Sequence, residues 1–285
     1  MILKKSHLTS VEINKLTNLI KVCEEQEEIQ LAVTINLSTS QNRNNEGCYD
    51  YFYCVDEELV GYLGAFAIPG VKQMEITGMV HPSFRRKGIF SSLLKEAISD
   101  LQLFKEQLLI IDYHSTSGKQ FIDQCGASLS HSEFLLQYGK PVMATSPSIE
   151  MLEVREEDLS EVITIHSKAF GVSENEARGV IEQNFSSNMY NMLLAKDKGC
   201  TVGSLSILNR ESYYISAFSV DPLFQGKGIG KQMLLQTVQS LGGNQSIMIE
   251  VEVNNDHALK LYQACGFVIK AGFNYYKLNT SFEKE

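Results

Sequence analysis

The chain has 285 residues, of which 44% are hydrophobic and 21% charged, a balance typical of one large globular domain or two of ordinary size. No apolar run approaches the roughly 20 residues of a membrane span, and the first residues lack the apolar core of a secretory signal. We therefore predict a cytoplasmic protein with no membrane partner. The net charge of -9 argues against a nucleic-acid partner, which needs a basic surface. Six cysteines without a C-x-x-C pair predict no metal site and no disulfide framework.

The sequence contains an internal duplication. The stretch HPSFRRKGIFSSLLKEAI, at 81–98, reappears as DPLFQGKGIGKQMLLQTV at 221–238, an offset of 140. Upstream, residues 57–66 align with 199–208 at an offset of 142, which predicts a two-residue length difference in a loop between the two regions. The pattern predicts two copies of one fold.

The boundaries of the two copies follow from composition. We predict an N-terminal domain at 1–140 and a C-terminal domain at 149–285, joined near the proline-containing stretch 139–148. The polar segment 38–47 is predicted to be an exposed loop.

Apolar spacing predicts the elements of the second copy in chain order. They are helices at 159–170 and 174–185 and strands at 191–195, 201–209 and 213–220. The last of these strands stops before Pro222, since proline cannot continue a ladder. A glycine turn and a helix come next. A mostly apolar strand at 246–253 and a helix that is capped by Asn255 and ends at Gly266 complete the copy.

The glycine turn predicts an anion site. A strand that stops at a proline and is followed by a turn and a helix leaves backbone N–H groups unpaired at the helix start. Gly226, Gly228 and Gly230 have no Cβ, so a diphosphate could approach the main chain closely. Lys227 adds a positive charge, and the Gln225 side chain can donate a hydrogen bond. A turn that serves only to reverse the chain is the alternative.

Two spaced motifs resemble the GNAT superfamily of N-acetyltransferases. The signature Gln/Arg-x-x-Gly-x-Gly/Ala, at a strand-to-helix turn, matches Gln225, Gly228 and Gly230. The downstream Asn-x-x-Ala-x-x-Leu-Tyr and Gly-Phe motifs match Asn255, Ala258, Leu261, Tyr262, Gly266 and Phe267. The resemblance covers the second copy from about residue 201 onward. A Walker A loop is excluded because no G-K-[ST] follows, and a dinucleotide fingerprint because three strands precede the turn.

The resemblance implies an α/β (α+β) fold with two tandem GNAT-like domains. Each would be a mixed, mostly antiparallel sheet with helices on both faces and a central, splayed pair of parallel strands. It also implies acetyl-CoA as cosubstrate, with the diphosphate on the glycine turn and the pantetheine arm on the main chain of the preceding strand. The implied coenzyme-binding residues are Phe218, Val220, Gln225, Gly226, Lys227, Gly228, Ile229, Gly230 and Asn255.

Acetyl transfer to an amine needs an oxyanion donor, an acid for the departing thiolate and a base. We assign the oxyanion donor to the N–H of Val220. The resemblance implies Tyr262 as the acid, because a phenol pKa near 10 suits a thiolate, and a core aromatic is the alternative. Glu252 is predicted to be the base. Glu250 lies on the same strand face, and both could instead line a solvated edge; His257 is interpreted as a solvated residue.

The first copy departs from this pattern. It has Phe90, Ser115, Ile122 and Ala127 in place of Gly230, Asn255, Tyr262 and Phe267. We therefore predict that the second copy is catalytic and that the first is a degenerate partner. Its turn is nevertheless more cationic, with Arg85, Arg86 and Lys87, and Glu75 could serve as a base, so the reverse assignment stays open.

The predicted function is an acetyl-CoA-dependent N-acetyltransferase that acts on a primary amine of a small molecule or peptide by direct attack in a ternary complex. Two alternatives stay open: a non-catalytic sensor that binds coenzyme A, and transfer of a longer acyl chain. The acidic net charge suits a cationic acceptor. The duplication could replace a homodimer or add to one.

Overall fold

The computed structural model describes both copies over most of their length. It describes residues 1–32, 49–67, 73–100, 104, 106–140, 142, 148–210, 212–242 and 245–278. Within these, the helices are Ser10–Glu27 (α1), Ile89–Asp100 (α2), Thr116–Cys125 (α3), Leu159–Phe170 (α4), Glu174–Ser186 (α5), Ile229–Leu241 (α6) and Asp256–Ala264 (α7). The strands are Ile2–Lys5 (β1), Tyr49–Val55 (β2), Glu58–Ala67 (β3), Gln73–Val80 (β4), Glu106–Asp112 (β5), Ser128–Tyr138 (β6), Glu150–Glu153 (β7), Tyr190–Asp197 (β8), Cys200–Asn209 (β9), Tyr213–Val220 (β10), Ile247–Glu252 (β11) and Phe267–Lys277 (β12).

The first unit is a mixed sheet between helices. Its strand order is β1-β2-β3-β4-β5-β12, and neighbouring strands are antiparallel except for the parallel pair β4 and β5. Helix α1 packs Leu16 and Leu19 on one face, whereas α2 packs Leu93 on the other. Successive strand residues serve opposite faces, as Tyr62 and Leu63 of β3 show.

The second unit repeats this plan. Its strand order is β7-β8-β9-β10-β11-β6, with β10 and β11 as the parallel pair. Helices α4 and α5 cover one face through Ile163 and Ile181, and α6 and α7 cover the other through Met233 and Tyr262. The predicted fold class, a mixed and mostly antiparallel sheet with helices on both faces, is confirmed for both units.

Local sequence explains where the helices begin and end. The Ser173 hydroxyl accepts a hydrogen bond from the Glu176 N–H, and the Glu176 carboxylate accepts one from the Ser173 N–H, so two N–H groups at the start of α5 are satisfied. Helix α4 ends at Gly171, which has the left-handed φ of 67° that glycine adopts without strain. The predicted helices 159–170 and 174–185 agree with α4 and α5 to within one residue.

Each compact unit includes a strand from the other copy. Described residues 133–138 of β6 belong to the second unit, where Leu135 pairs with Glu250, and 271–277 of β12 belong to the first, where Phe273 pairs with Asp112. The sequence division at 1–140 and 149–285 stays a prediction about the duplication, and the units differ from it by this exchange. Sequence alone does not show the exchange, since β6 and β12 are equivalent strands that can pair with either sheet.

Two sequence predictions concern residues that the structure leaves out. The loop predicted at 38–47 and most of the linker predicted at 139–148 lie outside the described residues. Among the helices that the structure does describe, none combines the length and the apolar character needed to cross a membrane.

Candidate active site

In the second unit, the parallel strands β10 and β11 separate at their carboxyl ends. They pair only over 213–215 and 247–249, although β10 continues to Val220 and β11 to Glu252. Main-chain groups beyond the paired residues therefore face a gap, in which an extended, amide-bearing ligand can satisfy them. The predicted splay of this strand pair is confirmed.

A β-bulge interrupts β10 beside the gap. The register against β9 shifts between Ser216 and Ser219, so that Ala217 and Phe218 lie opposite Leu205. Ala217 has the left-handed φ of 48°. As a result, Phe218 lies on the face that α6 covers, whereas Ala217 packs under α4.

The bulge accounts for part of the two-residue length difference that the sequence predicts between the two copies. Residues 68–73 separate the paired ends of β3 and β4, whereas 210–212 separate those of β9 and β10, so this connection is three residues shorter in the second copy. The bulge then adds one residue within β10. The net difference of two was predicted correctly, but its assignment to a loop alone was wrong, because an offset between aligned segments does not distinguish a loop from a bulge.

The N–H of Val220 faces the gap. The Asp221 N–H donates a hydrogen bond to the carbonyl of Val202 on β9, at 2.9 Å, and Val220 is paired with Gly203 of the same strand. Because neighbouring residues of a strand direct their N–H groups to opposite sides, the Val220 N–H points away from β9. This direction is the one that an oxyanion donor at the gap requires.

The glycines of the turn have two different roles. Gly226 and Gly228 have left-handed φ angles of 74° and 78°, which side-chain-bearing residues adopt only with strain. Gly230 lies inside α6, and a Cβ there would lie 3.2 Å from Leu261 Cδ2 and 3.4 Å from Phe218 Cζ. Gly230 is therefore small because the strand and α7 approach it closely. The turn leads to Ile229, where α6 begins with unpaired N–H groups.

The polar side chains of the turn bond within the protein. Gln225 Nε2 donates to the Val220 carbonyl at 3.1 Å and so ties the turn to the end of β10. Lys227 Nζ donates to the Leu223 carbonyl at 2.9 Å and lies over the Phe224 ring. The main-chain N–H groups and the charge of Lys227 thus remain for an anion, while the Gln225 amide has a structural contact.

Tyr262, a residue of α7, lies beside the gap. Its side chain is 6% exposed, and its ring centroid is 6.0 Å from that of Phe218. Among the described residues, no group forms a hydrogen bond with its hydroxyl, so the hydroxyl is available to a ligand. Burial, with a smaller contribution from the Cys265 thiol, raises the pKa of Tyr262 above its usual value near 10. The expectation of an ordinary phenol pKa was wrong, and Tyr262 stays protonated as a hydrogen-bond donor over the physiological range.

Glu252 and Glu250 lie on the other face of the sheet. Ile249 and Val251 belong to the core under α6, and alternation directs both glutamates to the opposite, exposed face. Glu252 stands directly across from Glu133 of β6. The gap therefore joins two surfaces: Tyr262 lies on one, and the two candidate bases lie on the other.

Asn255 is the predicted cap of α7. Its Oδ1 accepts a hydrogen bond from the Ala258 N–H at 3.0 Å, which satisfies one of the free N–H groups at the helix start. Its main-chain N–H donates to the Glu252 carbonyl at 2.9 Å, so the cap also fixes the end of β11. His257 is exposed, as interpreted from the sequence.

The first unit has the same gap without the bulge. Strands β4 and β5 pair over 73–76 and 106–109 and then separate, while β4 keeps an unbroken register against β3. Arg85 Nε donates to the Val80 carbonyl at 3.0 Å, in the position of Gln225. Both turns are thus tied to their strands by the first side chain of the motif.

Phe90, the main departure from the motif, is compensated on the strand. A Cβ on Gly78 of β4 would lie 2.7 Å from Phe90 Cε2, so the ring lies on this glycine. In the second copy the aligned strand residue is Phe218 and the aligned helix residue is Gly230. The two copies have exchanged an aromatic ring and a glycine across one contact, which conserves volume.

A cavity of about 580 Å³ lies along the gap of the first unit. It extends from the turn at Arg86 and Gly88 to Ile76 and Leu109 on the two strands and borders Glu27 of α1. Its walls are therefore cationic at one end and apolar in the middle.

Glu27 closes one side of this cavity, and sequence analysis missed it. Its side chain, 11% exposed, forms an ion pair with Arg85 and accepts hydrogen bonds from the Ser115 hydroxyl and the Ser117 N–H. Burial alone would raise the pKa of Glu27, but the hydrogen bonds from Ser117 and the charge of Arg85 outweigh it and hold the pKa below its usual value. The contacts span most of the copy in sequence, so no local pattern indicated them.

In both units the parallel strands of a mixed sheet separate beside a glycine turn. The acetyltransferase (GNAT) family model matches residues 13–115 and 159–267. The chain belongs to this family. Both halves match, so the predicted duplication and the resemblance to the GNAT superfamily are confirmed.

Relatives by sequence are also acetyltransferases. Mycothiol acetyltransferase from Propionibacterium freudenreichii subsp. shermanii is 24% identical over 75% of this chain and 72% of its own length. N-alpha-acetyltransferase RimI from Mycobacterium tuberculosis is 36% identical over 26% of this chain, a match that spans about half of RimI. Spermine/spermidine N(1)-acetyltransferase from Bacillus subtilis is 39% identical over 19% of this chain and 38% of its own length.

Solved structures share the fold over almost the whole chain. A GCN5-related N-acetyltransferase from Sphaerobacter thermophilus superposes with a TM-score of 0.76 at 18% identity and covers 97% of this chain and 95% of its own. A tandem GNAT protein from the clavulanic acid biosynthesis pathway has a TM-score of 0.72 at 13% identity, and 97% of each chain is covered.

Proposed function

We propose that the protein transfers an acetyl group from acetyl-CoA to a primary amine and that the second copy carries out the transfer. The observation that carries this proposal is the position of Tyr262, whose ring packs against Phe218 beside the gap into which the Val220 N–H points. An oxyanion donor and a hydrogen-bond donor for the thiolate are two of the three groups that acetyl transfer to an amine requires, and the base is the third. The first copy has Ile122 in place of the tyrosine.

The coenzyme would lie with its diphosphate on the start of α6 and its pantetheine arm along β10. The unpaired N–H groups of Ile229 and Gly230 and the helix dipole favour the diphosphate, and Lys227 adds charge. Main-chain groups of Phe218 and Val220 would pair with the pantetheine amides. Acetyl-CoA supplies the activated acyl group.

The amine would attack from the opposite face of the sheet in a ternary complex. Its nitrogen forms a bond to the thioester carbonyl carbon, the oxyanion is held by the Val220 N–H, and the carbon–sulfur bond then breaks. The amine proton passes to Glu252, directly or through water, and the Tyr262 hydroxyl donates a hydrogen bond to the departing thiolate.

A polyamine or a peptide amine, which is cationic in solution and loses one proton to solvent before it attacks as the neutral amine, is the proposed acceptor class. The candidate bases Glu250 and Glu252 are exposed on the acceptor face, and the chain carries a net charge of -9. Relatives whose names state a spermine/spermidine or an N-alpha-amino specificity are consistent with this class.

The test is thiol release from acetyl-CoA in the presence of a panel of polyamines and N-terminal peptides. We expect amine-dependent release that falls at least tenfold in Glu252→Gln and less than threefold in the matched Glu250→Gln variant. Equal losses in both variants would remove Glu252 as the base. If no amine in the panel caused thiol release, that result would contradict the proposed function.

The cavity of the first unit favours a second role for that copy, the binding of coenzyme A without transfer. The turn at Arg86 and Gly88 and the apolar walls suit a phosphorylated ligand with an apolar arm. Calorimetric titration with coenzyme A should give two sites per chain, of which Gly88→Glu removes one. A single site that survives this substitution would contradict coenzyme binding by the first copy.

A further inference from the structure

A second, smaller cavity of the first unit lies on the face of the sheet that α1 covers. Its volume is about 60 Å³, and its lining includes Cys23 of α1, Thr77 of β4 and Asp112 of β5. The two strand residues point toward α1, because their neighbours Ile76 and Ile111 pack on the opposite face, under α2. We call this space the α1-side cavity; neither the proposed transfer nor coenzyme binding gives it a role.

Thr77 presents a buried hydroxyl to the α1-side cavity. Its side chain is 1% exposed, and its Oγ1 forms no hydrogen bond with any described residue. A buried hydroxyl that is left unsatisfied is unfavourable, so a polar group in the cavity would stabilise it. The hydroxyl can both donate and accept a hydrogen bond.

Asp112 adds a buried negative charge to the same cavity. Its Oδ1 and Oδ2 each accept one main-chain hydrogen bond, from His114 and Gln30, which leaves further lone pairs on both oxygens. No cationic side chain of the described residues forms an ion pair with it. Arg85 also lines the cavity, but its guanidinium is paired with Glu27. Within the described part of the chain, the charge of Asp112 therefore has no counter-ion.

These groups together favour a cation that carries hydrogen-bond donors. A buried carboxylate without a counter-ion is unfavourable, and a cation in the cavity would compensate it. An ammonium group combines a positive charge with three N–H donors, which suit the acceptor oxygens of Asp112 and Thr77. A divalent metal ion prefers a larger set of oxygen ligands, so the single carboxylate suits a monovalent ammonium group better.

The arrangement belongs to the first copy alone. At the aligned positions the second copy has Ala217 in place of Thr77 and the exposed Glu252 in place of Asp112. The hydroxyl is therefore absent from the second copy, and its carboxylate is open to solvent. The buried pair is not a feature that both copies need for folding.

We propose that the α1-side cavity binds the primary ammonium group of an amine, held by the Asp112 carboxylate and the Thr77 hydroxyl. A cavity of this size admits only the amino end of a larger molecule, such as a polyamine or a peptide. The inference goes beyond the proposed function, because it gives the copy that has Ile122 in place of Tyr262 an amine site that does not depend on transfer.

Hydrogen exchange with small ammonium ions tests this site in the full chain. The probe is methylammonium, and the matched control is tetramethylammonium, which has the same charge but is larger and has no N–H donor. We expect methylammonium to slow exchange in the peptides that span 73–80 and 106–118, at concentrations at which tetramethylammonium has no effect. Equal protection by both ions, or by neither, would overturn the inference.

Two variants remove the proposed contacts one at a time. Asp112→Asn removes the charge and should weaken methylammonium binding about tenfold, since hydrogen bonds to charged groups are the stronger ones. Thr77→Val removes the hydroxyl at nearly constant shape and should weaken binding about threefold. Because that hydroxyl has no partner in the protein, the unfolding midpoint of Thr77→Val without amine should not fall. Thr77→Val also decides the test if Asp112→Asn does not fold.

Thr237→Val is the matched control variant. Thr237 of α6 is also 1% exposed with an unpartnered Oγ1, but it does not line the α1-side cavity. This variant should bind methylammonium in the first unit as the natural protein does. Normal binding in Thr77→Val, or an equal loss in Thr77→Val and Thr237→Val, would overturn the inference.

Two larger amines compare the sources of the ammonium group. Protection of the same peptides at a lower concentration of spermidine than of alanine amide would identify a polyamine, and the reverse order would identify a peptide N-terminus; either supports the site. The exchange experiment contains no acetyl-CoA, so it separates this inference from the proposed function. If no amine caused thiol release but methylammonium protected the first unit, the proposed function would fail and the amine site would stand.

Discussion

The two copies build the same gap between parallel strands and fill it in opposite ways. In the first copy a glycine on the strand, Gly78, receives the ring of Phe90 from the helix, and Phe90 meets Phe121 edge to face at 4.8 Å. In the second, the strand supplies Phe218 and the helix supplies Gly230. The loss of a motif glycine in the first copy is therefore a compensated exchange and not decay of the fold.

The carboxylates at the ends of β5 and β11 show a second difference. Asp112 is 5% exposed and accepts hydrogen bonds from the N–H groups of Gln30, at 3.3 Å, and His114, at 2.8 Å. Glu252, at the aligned position, is exposed. One copy uses this carboxylate to fix its own main chain, while the other leaves it open to solvent and to a substrate.

The largest expected effect comes from substituting Gly228, the residue immediately before α6. Gly228→Glu forces a side chain into a φ of 78° and adds a negative charge at the predicted diphosphate site, so coenzyme affinity at the second copy should fall at least a hundredfold by calorimetry. The matched Gly88→Glu, at a φ of 73°, imposes the same strain on the first copy. If Gly88→Glu abolished transfer and Gly228→Glu did not, the two copies would have the reverse roles.

Exchanging the aromatic ring and the glycine in the second copy should have a smaller effect. Gly230→Phe alone places a ring against Phe218 and should cost about 1–3 kcal/mol of unfolding free energy. Adding Phe218→Gly recreates the arrangement of the first copy and should recover most of that loss in denaturant unfolding. A double variant that is no more stable than Gly230→Phe would show that the two residues are not exchanged across one contact.

The smallest effect is the pH dependence of the Glu27 network. Because the pKa of Glu27 is lowered in the folded state, its stabilisation is present above its unfolded value near 4.5 and is lost as the pH falls through the folded value. Glu27→Gln should therefore lower the unfolding midpoint at pH 6 and do so progressively less below pH 4.5. Glu25→Gln, on the same helix but exposed, should be nearly neutral at both pH values. If the unfolding midpoint of Glu27→Gln were lowered by the same amount at every pH, the stabilisation would not come from the ionised Glu27 carboxylate.

Much of the fold could be predicted from sequence because its signals are local. Apolar spacing gave α4 and α5, and Pro222 and Asn255 marked the end of β10 and the start of α7. The Gln225 and Gly228 motif located the turn. Such signals need only a few neighbouring residues.

The features that were missed depend on distant partners. The bulge is visible only in the register of β10 against β9. Glu27 meets Arg85 and Ser117 only after the sheet has formed. The aligned sequences of the two copies contain the compensation of Phe90 by Gly78. It becomes apparent only when the strand residues and the helix residues of both copies are compared together.

The assignment of transfer to the second copy is tested most directly by comparing Tyr262→Phe with Glu75→Gln in a single-turnover assay of acetyl transfer. Tyr262 is the proposed acid of the second copy, and Glu75 is the candidate base of the first. We expect Tyr262→Phe to slow transfer about a hundredfold with coenzyme affinity within threefold of the natural protein, and Glu75→Gln to leave the rate unchanged. A normal rate in Tyr262→Phe together with a large loss in Glu75→Gln would contradict the account and place the reaction in the first copy.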